Sequence, residues 1–515
     1  KYYTRACNFF YGQRSQELIK KKLTLPLCGN NSISFNQIEI FIRDKKRVKS
    51  KIINIKRINK LNPSLKKKIN DDIKKITSKR VFLRKKNHML MGIVNMTPDS
   101  FSDGGKFNSY KKAITRIDNL KKSGADIIDV GGESTRPGSK VISPKKELQR
   151  VYKLLEKFKK KFPKTLLSID TRKSLVMNFS IKHKVDIIND VSCFKFDPKS
   201  FDLVKSNNIW KIIHHMQGTP QTMQINPSYN HVLLDIYDFF ENKIKKFNRN
   251  KIKKKLILDP GIGFGKNLKH NLMILNKISI FHSLGFPILI GTSRKRFINQ
   301  ISGNYDTLER IGGTISSVIF SYSQGIKIFR VHNIGEVKQS LLKDHLLLEK
   351  VNEVCEICLS AYKKGNKIIL AGNGGSAADS QHIAAEFVSR FEFDRPGLPA
   401  LALTTDTSIL TAIGNDYGYE NLFSRQLEAQ ACEGDIFIGI TTSGTSPNIL
   451  KAFDAALEKK ITTIGFCGSK GISSENCDYV LKVPSDETAR IQESHILIGH
   501  IICGYIEKEY FKDLN

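Results

Sequence analysis

The sequence lacks the features that mark several protein classes. No apolar run reaches the roughly 18 residues needed to cross a bilayer, which argues against an integral membrane protein. No secretory signal pattern is present. The nine cysteines are dispersed, and the only C-x-x-C, Cys355 and Cys358, falls in a stretch with helical pattern, which favours a buried helix face over a metal or redox site. This cysteine usage predicts a cytoplasmic location, where thiols stay reduced.

Acidic residues are scarce in the first two thirds of the chain. The formal net charge is +35, and residues 1–90 carry 25 Lys and Arg against 5 Asp and Glu. Residues 346–515 carry 15 Lys and Arg against 23 Asp and Glu. The net charge therefore changes sign near residue 345, which is typical of a domain boundary. Nucleic-acid binding and a solvated basic surface are both compatible with this excess of positive charge, but RNP, zinc-finger and basic-zipper motifs are missing. We therefore expect no nucleic-acid partner and no membrane partner.

Residues 81–345 alternate short apolar runs with helical stretches. Eight runs (MLMGIV, DIIDV, TLLSI, VDIIN, WKIIHH, KLIL, PILIG and IKIFRV) in about 265 residues predict a (β/α)8 TIM barrel. Polar or ionisable residues follow every run, and the carboxyl ends of the strands meet at one mouth, where such barrels carry out chemistry. The groups are Asn95, Gly131-Gly132-Glu133, Asp170, Asn189-Asp190, His215, Asp259, Ser293-Arg294-Lys295, and Arg330 with His332.

Two glycine-containing loops of this region are suited to phosphate. NMTPDSFSDGG (95–105) offers oxygen ligands for a magnesium-bridged diphosphate, and GGESTRPGS (131–139) offers Thr135 and Arg136 beside glycines. DPGIGFGK (259–266) lacks the G-x-G-x-x-G spacing of a dinucleotide site. With SIDTRKS, IINDVS, HMQGTPQTMQ, GTSRKRFI and FRVHN, these motifs in this order resemble dihydropteroate synthase.

The resemblance implies that 6-hydroxymethyl-7,8-dihydropterin diphosphate is joined to 4-aminobenzoate in folate synthesis, with release of diphosphate. It implies that Asn95 holds Mg²⁺, that Thr135 and Arg136 lie on the diphosphate side, and that Asp170, Asn189 and Asp259 bind the pterin edge. It further implies a catalytic Lys295 between pterin and aminobenzoate with Ser293 nearby, a diphosphate clamp of Arg330 and His332, and an aminobenzoate pocket shaped by Phe101 and Pro137. Met96 and His214 depart from the residues expected there, and Met is the residue expected at 214.

Residues 346–515 carry a second set of motifs. Strands near 367–371, 399–403, 435–440, 461–466 and 479–483 predict a doubly wound parallel sheet. A glycine-rich turn after the first and TTSGTSPN (441–448) after the third open helices, an arrangement suited to a sugar phosphate. His382 and Glu386 share one helix face, as do Gln492 and His500. Their spacing alone is compatible with a zinc site or with core packing.

GNGGSAADSQHIAAEF, GITTSGTSPN and TARIQESHILIGH resemble phosphoheptose isomerase, an enzyme with the sugar-isomerase (SIS) fold. The resemblance implies conversion of sedoheptulose 7-phosphate to D-glycero-D-manno-heptose 7-phosphate, a lipopolysaccharide precursor, in a homo-oligomer. It implies Zn²⁺ bound by His382, Glu386, Gln492 and His500, with Glu386 and His500 as the acid/base pair. The substrate would be lined by Asn373, Gly374, Gly375, Asn415, Asp416, Thr441, Thr442, Ser443 and Ser446, while Thr445 departs from the expected Asn.

The expected organisation is a basic N-terminal extension (1–80), a barrel (81–345) and an SIS-type domain (346–515). Phosphoheptose isomerases normally have two helices before the first strand of the SIS-type domain. Only the second of these helices fits between residues 346 and 365. Either the last barrel helix, EVKQSLLKDHLLL, substitutes for the first, or the isomerase part is impaired. A sugar-phosphate sensor on the same fold is the alternative for the C-terminal part.

Overall fold

The computed structural model describes residues 1–45, 47–81, 83, 86, 88–97, 106–136, 138–249, 255–302, 310–473 and 477–511. The chain divides into two compact units, Lys1–Leu341 and Leu342–Asn515. Phe101 and Pro137, both expected in the aminobenzoate pocket, lie outside the described residues. Among the described helices, none combines the length and the apolar character needed to span a membrane.

The first eighty residues fold into a module that belongs to the first unit. Its elements are β1 (Tyr2–Tyr11), α1 (Gly12–Lys20), β2 (Leu25–Leu27), β3 (Asn30–Asp44), β4 (Arg47–Asn54), a 3-10 helix (Ile55–Lys60) and α2 (Pro63–Thr77). The strands form an antiparallel sheet in which β3 pairs with β1, β2 and β4.

This N-terminal module is docked on the barrel through buried and half-buried polar contacts. Arg43 pairs with Asp235 at 2.6 Å, the hydroxyl of Tyr3 donates to Asp238 at 2.9 Å, and Lys277 pairs with Glu39 at 2.6 Å. Tyr3 also belongs to the main hydrophobic core of the barrel. The extension is therefore a folded part of the first unit, and not a free arm.

The rest of the first unit is a barrel of eight parallel strands, which confirms the predicted fold class. The strands are β5 (Met89–Asn95), β6 (Ile127–Gly131), β7 (Leu166–Asp170), β8 (Ile187–Asp190), β9 (Trp210–His214), β10 (Leu256–Asp259), β11 (Leu289–Ile290) and β12 (Ile328–Val331). They are ordered β10-β9-β8-β7-β6-β5-β12-β11, and a parallel bridge between Leu258 and Ile288 joins the two ends. Nearly every strand residue is buried, as expected where helices cover the outside of a parallel sheet.

Helices connect these strands. They are α3 (Lys106–Lys122), α4 (Pro144–Lys161), α5 (Ser174–Lys182), α6 (Pro198–Ser206), α7 (Val232–Arg249), α8 (Leu268–Asn276), a 3-10 helix (Ile278–Leu284), α9 (Arg296–Ser302) and α10 (Ile311–Ser323). Side chains cap several of them: Ser143 accepts from the amide of Lys146, and Asn267 forms a capping box with His270. The caps begin these helices just beyond the loops that follow the strands.

The second unit contains the predicted doubly wound sheet, also confirmed. Strands β13 (Ile368–Gly372), β14 (Ala400–Ala402), β15 (Ile436–Ile440), β16 (Thr462–Cys467) and β17 (Tyr479–Lys482) are parallel in the order β14-β13-β15-β16-β17. The helices are α12 (Gly375–Val388), α13 (Thr407–Tyr417), a 3-10 helix (Tyr419–Asn421), α14 (Ser424–Gln430), α15 (Pro447–Glu458) and α16 (Thr488–Tyr510). Separate hydrophobic clusters involve α12 with α16 and α14 with α15.

Residues 334–363 form one continuous helix, α11 (Ile334–Lys363). The sequence EVKQSLLKDHLLL, considered as a substitute for a missing first helix, is the N-terminal part of α11. The segment therefore extends the helix that leads into β13 and does not form a separate helix before it.

Candidate functional sites

The interior of the barrel changes from apolar to polar along the strands. Its floor is an apolar cluster of Met89, Met91, Ile127, Ile187, Trp210, Ile212, Ile257, Leu289 and Ile328. Side chains two apart in a strand share a face, so the inward positions that follow are polar. These positions are Asn95, Asp129, Asp170, Asn189, His214, Asp259 and Arg330. The alternation thus places five of the predicted barrel site residues, Asn95, Asp170, Asn189, Asp259 and Arg330, in this polar layer.

Arg330 lies between two carboxylates of this layer. Its Nε donates to Asp129 at 2.7 Å and its Nη2 donates to Asp170 at 3.0 Å. The amide of Asn189 also donates to Asp129, at 3.2 Å. Burial raises the pKa of Asp170 to about 7, and the charge of Arg330 opposes this shift while that of Asp129 adds to it. Sequence reasoning missed Asp129, although its spacing of two from the inward Ile127 could have identified it.

Several polar atoms of the barrel interior are buried without a hydrogen-bond partner among the described residues. They are Asp129 Oδ1, Ser168 Oγ, Asp170 Oδ1, Asn189 Oδ1 and His214 Nδ1. A buried polar group without a partner costs about 1–3 kcal/mol, so native interiors rarely contain such a concentration without a purpose. This layer is suited to a flat ligand with several donors and acceptors.

Lys295 lies beside the loop that follows β10. Its Nζ donates to the carbonyl of Ile262 and lies 4.7 Å above the ring of Phe264. Burial lowers the pKa of Lys295 to about 8; Asp259 opposes the shift and Arg330 adds to it. One oxygen of Asp259 is held by the amide of Gly261 at 2.8 Å. Near neutral pH, Lys295 is a proton donor close to its titration point.

Positive charge surrounds His332. Ser293 Oγ lies 3.1 Å from His332 Nδ1. Burial lowers the pKa of His332 to about 3, and the nearby cations Arg330, Arg294, Arg116 and Arg136 lower it further. The region therefore attracts anions.

Arg116 near His332 was not predicted as a site residue, and Arg294 was predicted only as one of the polar residues that follow a strand. Arg116 Nη2 donates to the carbonyl of His332 at 2.7 Å, and Arg294 Nη2 donates to Asn333 at 2.7 Å. Arg294 holds the left-handed conformation, with φ of 59°, which strains the backbone of a residue that is not glycine. Arg116 lies within helix α3, where the sequence carries no motif to identify it.

The remaining predicted residues of the barrel lie at its mouth. Asn95 ends β5 and is half-buried; its Oδ1 lies 3.6 Å from the position that a Cβ on Gly131 would occupy. Thr135 is half-buried and Arg136 exposed in the loop after β6.

Three strand-end residues point away from the mouth. Glu133 lies in a buried ion-pair network with Arg172 at 2.7 Å and Lys173 at 2.8 Å. Asp190 accepts hydrogen bonds from the backbone amides of the loop that follows it. His215 contacts Lys266 at 3.0 Å. Asp190 and His215 brace the loops from outside the barrel, because each lies an odd number of positions from the inward residues of its strand. Glu133 is held instead by its ion pairs with Arg172 and Lys173, which follow β7.

In the second unit, the turns after β13 and β15 lie side by side because these strands are neighbours, with Gly372 opposite Ile440. The side-chain amides of Asn373 and Asn448 bond each other in both directions at 2.9 Å and so link the turns. Gly374 has φ of 55° before α12, a conformation that favours glycine.

The turn after β15 is built from hydroxyl groups. Thr441 Oγ1 contacts Ser446 Oγ at 2.9 Å and Ser443 Oγ at 3.4 Å, and it accepts from the amide of Gly444 at 3.2 Å. Thr442 is half-buried beside them. Backbone amides and hydroxyls at two helix N-termini are suited to a phosphate group.

His382, Glu386 and His500 come together on α12 and α16. The two Nε2 atoms lie 3.0 Å apart, Glu386 Oε1 lies 3.3 Å from His382 Nε2, and the three ligand atoms are within 4.8 Å of one another. Gln492 packs against Gly375, where an added Cβ would lie 2.4 Å from its Nε2. Two imidazole nitrogens and a carboxylate that converge at this distance form a donor set suited to zinc.

Asn415 and Asp416 lie on the surface of the second unit. Both are exposed on α13, where the amide of Asn415 donates to Asp416 at 2.7 Å. Helix α13 has no buried residue, and the nearby Tyr419 donates to Asn373 at 3.0 Å.

Comparison with known proteins finds two families along the chain. The family described as pterin binding enzyme matches residues 91–332, and the SIS domain family matches residues 333–468. The second match begins at the residue before α11 and thus takes in the whole of that helix.

Individual proteins are similar to parts of the chain. A phosphoheptose isomerase of Aneurinibacillus thermoaerophilus is 62% identical over 178 residues, covering 34% of this chain and 90% of the relative. Phosphoheptose isomerase 2 of Campylobacter jejuni is 62% identical over 176 residues, 34% of this chain and 88% of the relative. The dihydropteroate synthase of Yersinia pestis, solved in complex with a sulfonamide drug, is 37% identical; the match covers 50% of this chain and 92% of that one, with a TM-score of 0.47.

Proposed function

Since residues 91–332 match the pterin binding enzyme family and the chain belongs to the phosphoheptose isomerases through its C-terminal region, we propose that it catalyses both dihydropteroate synthesis and phosphoheptose isomerisation. The first joins 6-hydroxymethyl-7,8-dihydropterin diphosphate to 4-aminobenzoate with loss of diphosphate. The second interconverts sedoheptulose 7-phosphate and D-glycero-D-manno-heptose 7-phosphate, a precursor for lipopolysaccharide. All nine cysteines are free thiols, which is compatible with a cytoplasmic location for both reactions.

The layer of unpartnered polar atoms in the barrel carries the transferase proposal. A pterin presents amino, ring N–H and carbonyl groups in one plane, and Asp170, Asn189 and Asp259 offer complementary oxygens and an amide. A pterin bound in this layer supplies hydrogen bonds to the polar atoms that have no partner in the protein. The apolar floor below fixes the depth of the ring.

The cations around His332 support the departure of diphosphate. The C–O bond to the pterin methylene breaks with its electron pair on the leaving diphosphate, and Arg330, His332 and their neighbours stabilise that charge. The amine of 4-aminobenzoate then forms the new C–N bond and loses a proton. Lys295 donates to the pterin carbonyl, with Ser293 near the aminobenzoate and Thr135 and Arg136 near the diphosphate.

The amide oxygen of Asn95 fits a role as a magnesium ligand. It is half-buried at the mouth of the barrel, and Mg²⁺ prefers oxygen ligands, with few from the protein and the rest from phosphate. Bound Mg²⁺ would neutralise charge on the diphosphate.

In the isomerase site, Glu386 and His500 move a proton between C1 and C2 of the sugar. The turns after β13 and β15 bind the phosphate through the backbone of Gly374 and Gly375 and the hydroxyls of the second turn. His382, Glu386 and His500 would hold Zn²⁺ with Gln492 as a further ligand, and the ion would polarise the carbonyl and hydroxyl oxygens of the sugar. A sugar-phosphate sensor would need only the phosphate turns, so the convergence of these three side chains favours an isomerase.

The exposed helix α13 supports a homo-oligomer. It has no buried residue, although it carries Leu410 and Ile413 and ends in the exposed Tyr417. A second copy packed on this helix would cover it and bring Asn415 and Asp416 toward a neighbouring site. Light scattering on the intact chain should therefore give a mass that is a multiple of 58.3 kDa.

The test of both activities is a crossed assay on the intact chain. Asp259→Asn should abolish dihydropteroate formation and leave isomerisation unchanged, whereas His500→Ala should do the reverse. If either variant lowers both activities equally, or if the wild-type chain lacks one of them, the corresponding assignment is wrong.

A further inference from the structure

A buried histidine that the proposed mechanism does not use lies in the polar layer of the barrel. His214 ends β9 directly opposite Asp259 of β10 and is 4% exposed. Its ring packs edge-on against Phe264, with centroids 4.6 Å apart. Gly261 allows this approach, because a Cβ there would lie 2.9 Å from His214 Cε1.

The two ring nitrogens of His214 have different surroundings. Nε2 lies 3.8 Å from a carboxylate oxygen of Asp259, slightly too far for a hydrogen bond. Nδ1 is buried and has no partner among the described residues. A core histidine that only filled space would be expected to have at least one nitrogen paired.

The ring is neutral near pH 7. Burial lowers the pKa of His214 to about 4; Asp259 opposes the shift, while Lys295, Lys266 and Arg330 add to it. A neutral imidazole carries one N–H, and the facing carboxylate favours that hydrogen on Nε2. Nδ1 is then a buried acceptor.

We propose that His214 and Asp259 act as a pair that recognises the amino-bearing edge of the pterin. When the pterin binds, the 3.8 Å separation closes, so that His214 Nε2–H donates to Asp259 and orients its carboxylate toward the ring N–H and amino groups, and Nδ1 accepts a further hydrogen bond from the same edge. His214 is thus a positioning and specificity residue for the heterocycle, where the sequence resemblance predicts a methionine. The inference rests on the transferase function proposed above.

Three variants of the intact chain test this role. Gln places an amide near the Nε2 position, Asn places one near the Nδ1 position, and Met provides similar volume without either group. The readouts are equilibrium binding of 6-hydroxymethylpterin, which lacks the diphosphate, and the KM values for pterin diphosphate and 4-aminobenzoate. Isomerase activity and Tm of the same preparations report whether the chain is folded.

We expect His214→Met to weaken binding of 6-hydroxymethylpterin about tenfold and to raise the KM for pterin diphosphate similarly, with the KM for 4-aminobenzoate unchanged. His214→Gln should restore most of the affinity, and His214→Asn should restore less. If the Met variant unfolds, the comparison of Gln with Asn still decides the question.

Two results would overturn the pairing. Wild-type affinity in a folded Met variant would mean that His214 only fills space, and rescue by Asn but not by Gln would remove the role toward Asp259. A wild-type chain that binds no pterin would instead refute the transferase function itself, so the two failures are distinguishable.

Discussion

The barrel keeps its functional groups inside, whereas the second unit presents them near its surface. Asp129, Asp170 and Asp259 are almost fully buried, but His382 is exposed and Glu386 and His500 are half-buried. In the barrel, strand ends converge within one closed wall. In the second unit, helix faces and turns lie over the edge of an open sheet. Burial therefore shifts the pKa values of Asp170 and Lys295 in the barrel through desolvation.

The largest expected effect is at the exposed site. Glu386→Gln should lower isomerase activity by about 100-fold or more, because it removes an acid/base group and a negative donor to the metal, and transferase activity should stay unchanged. Bound zinc should fall in parallel, as measured by elemental analysis of the purified protein. The control is Glu433→Gln, at a 73% exposed carboxylate whose contact with Lys460 is 4.0 Å. Normal isomerisation in Glu386→Gln would show that the convergence of the three side chains is incidental.

The second prediction concerns the buried partner of Arg330. Asp129→Asn removes the charge that holds the guanidinium, so the kcat/KM of the transferase should fall about 100-fold through misplacement of Arg330. The free energy of unfolding of the first unit should fall by about 3 kcal/mol, measured by denaturant titration. Asp118→Asn, at a 41% exposed carboxylate 3.8 Å from Lys161, should change neither quantity. If Asp129→Asn and Asp118→Asn have the same kcat/KM and the same free energy of unfolding, Asp129 has no role in positioning Arg330.

The third prediction uses the lowered pKa of Lys295. This lysine is protonated below about pH 8 and loses its proton above, so a role as donor requires kcat/KM to fall about tenfold per pH unit beyond that point. The profile of transferase activity against pH measures this. Lys295→Arg, which stays charged, should retain only part of the activity but should lose this alkaline decline. If kcat/KM of the Lys295→Arg variant still falls above about pH 8, the decline reports the titration of another group.

The smallest expected effect is at Arg116, which acts through the backbone of His332 and through its charge. Arg116→Gln should raise the KM for pterin diphosphate about fivefold and leave binding of 6-hydroxymethylpterin unchanged. Arg14→Gln, at a 42% exposed side chain of α1, is the matched control. A change in the affinity for the bare pterin would mean that the cations around His332 also shape the heterocycle site.

The sequence was sufficient to predict both fold classes, whereas the roles of the site residues stay predictions. Eight apolar runs of strand length, each followed by polar residues, identify a parallel barrel, since a closed parallel sheet buries both faces of every strand. The same periodicity also indicates two inward residues that the motifs do not. Asp129 lies two positions after the inward Ile127, and His214 lies two positions after the inward Ile212, so both face the interior. The position after the apolar run instead predicts His215 at the mouth.

Other features depended on tertiary structure, for a physical reason in each case. Glu133 and Asp190 follow strands as plausibly as Asp170 does, but the direction of each side chain is decided by the loop that receives it: Glu133 meets two buried cations and Asp190 meets backbone amides. Arg116 reaches His332 from 216 positions away in the sequence, so no local pattern could identify it. The sequence determined which groups are available, because composition and periodicity are local, and only the folded chain determined which of them face one another.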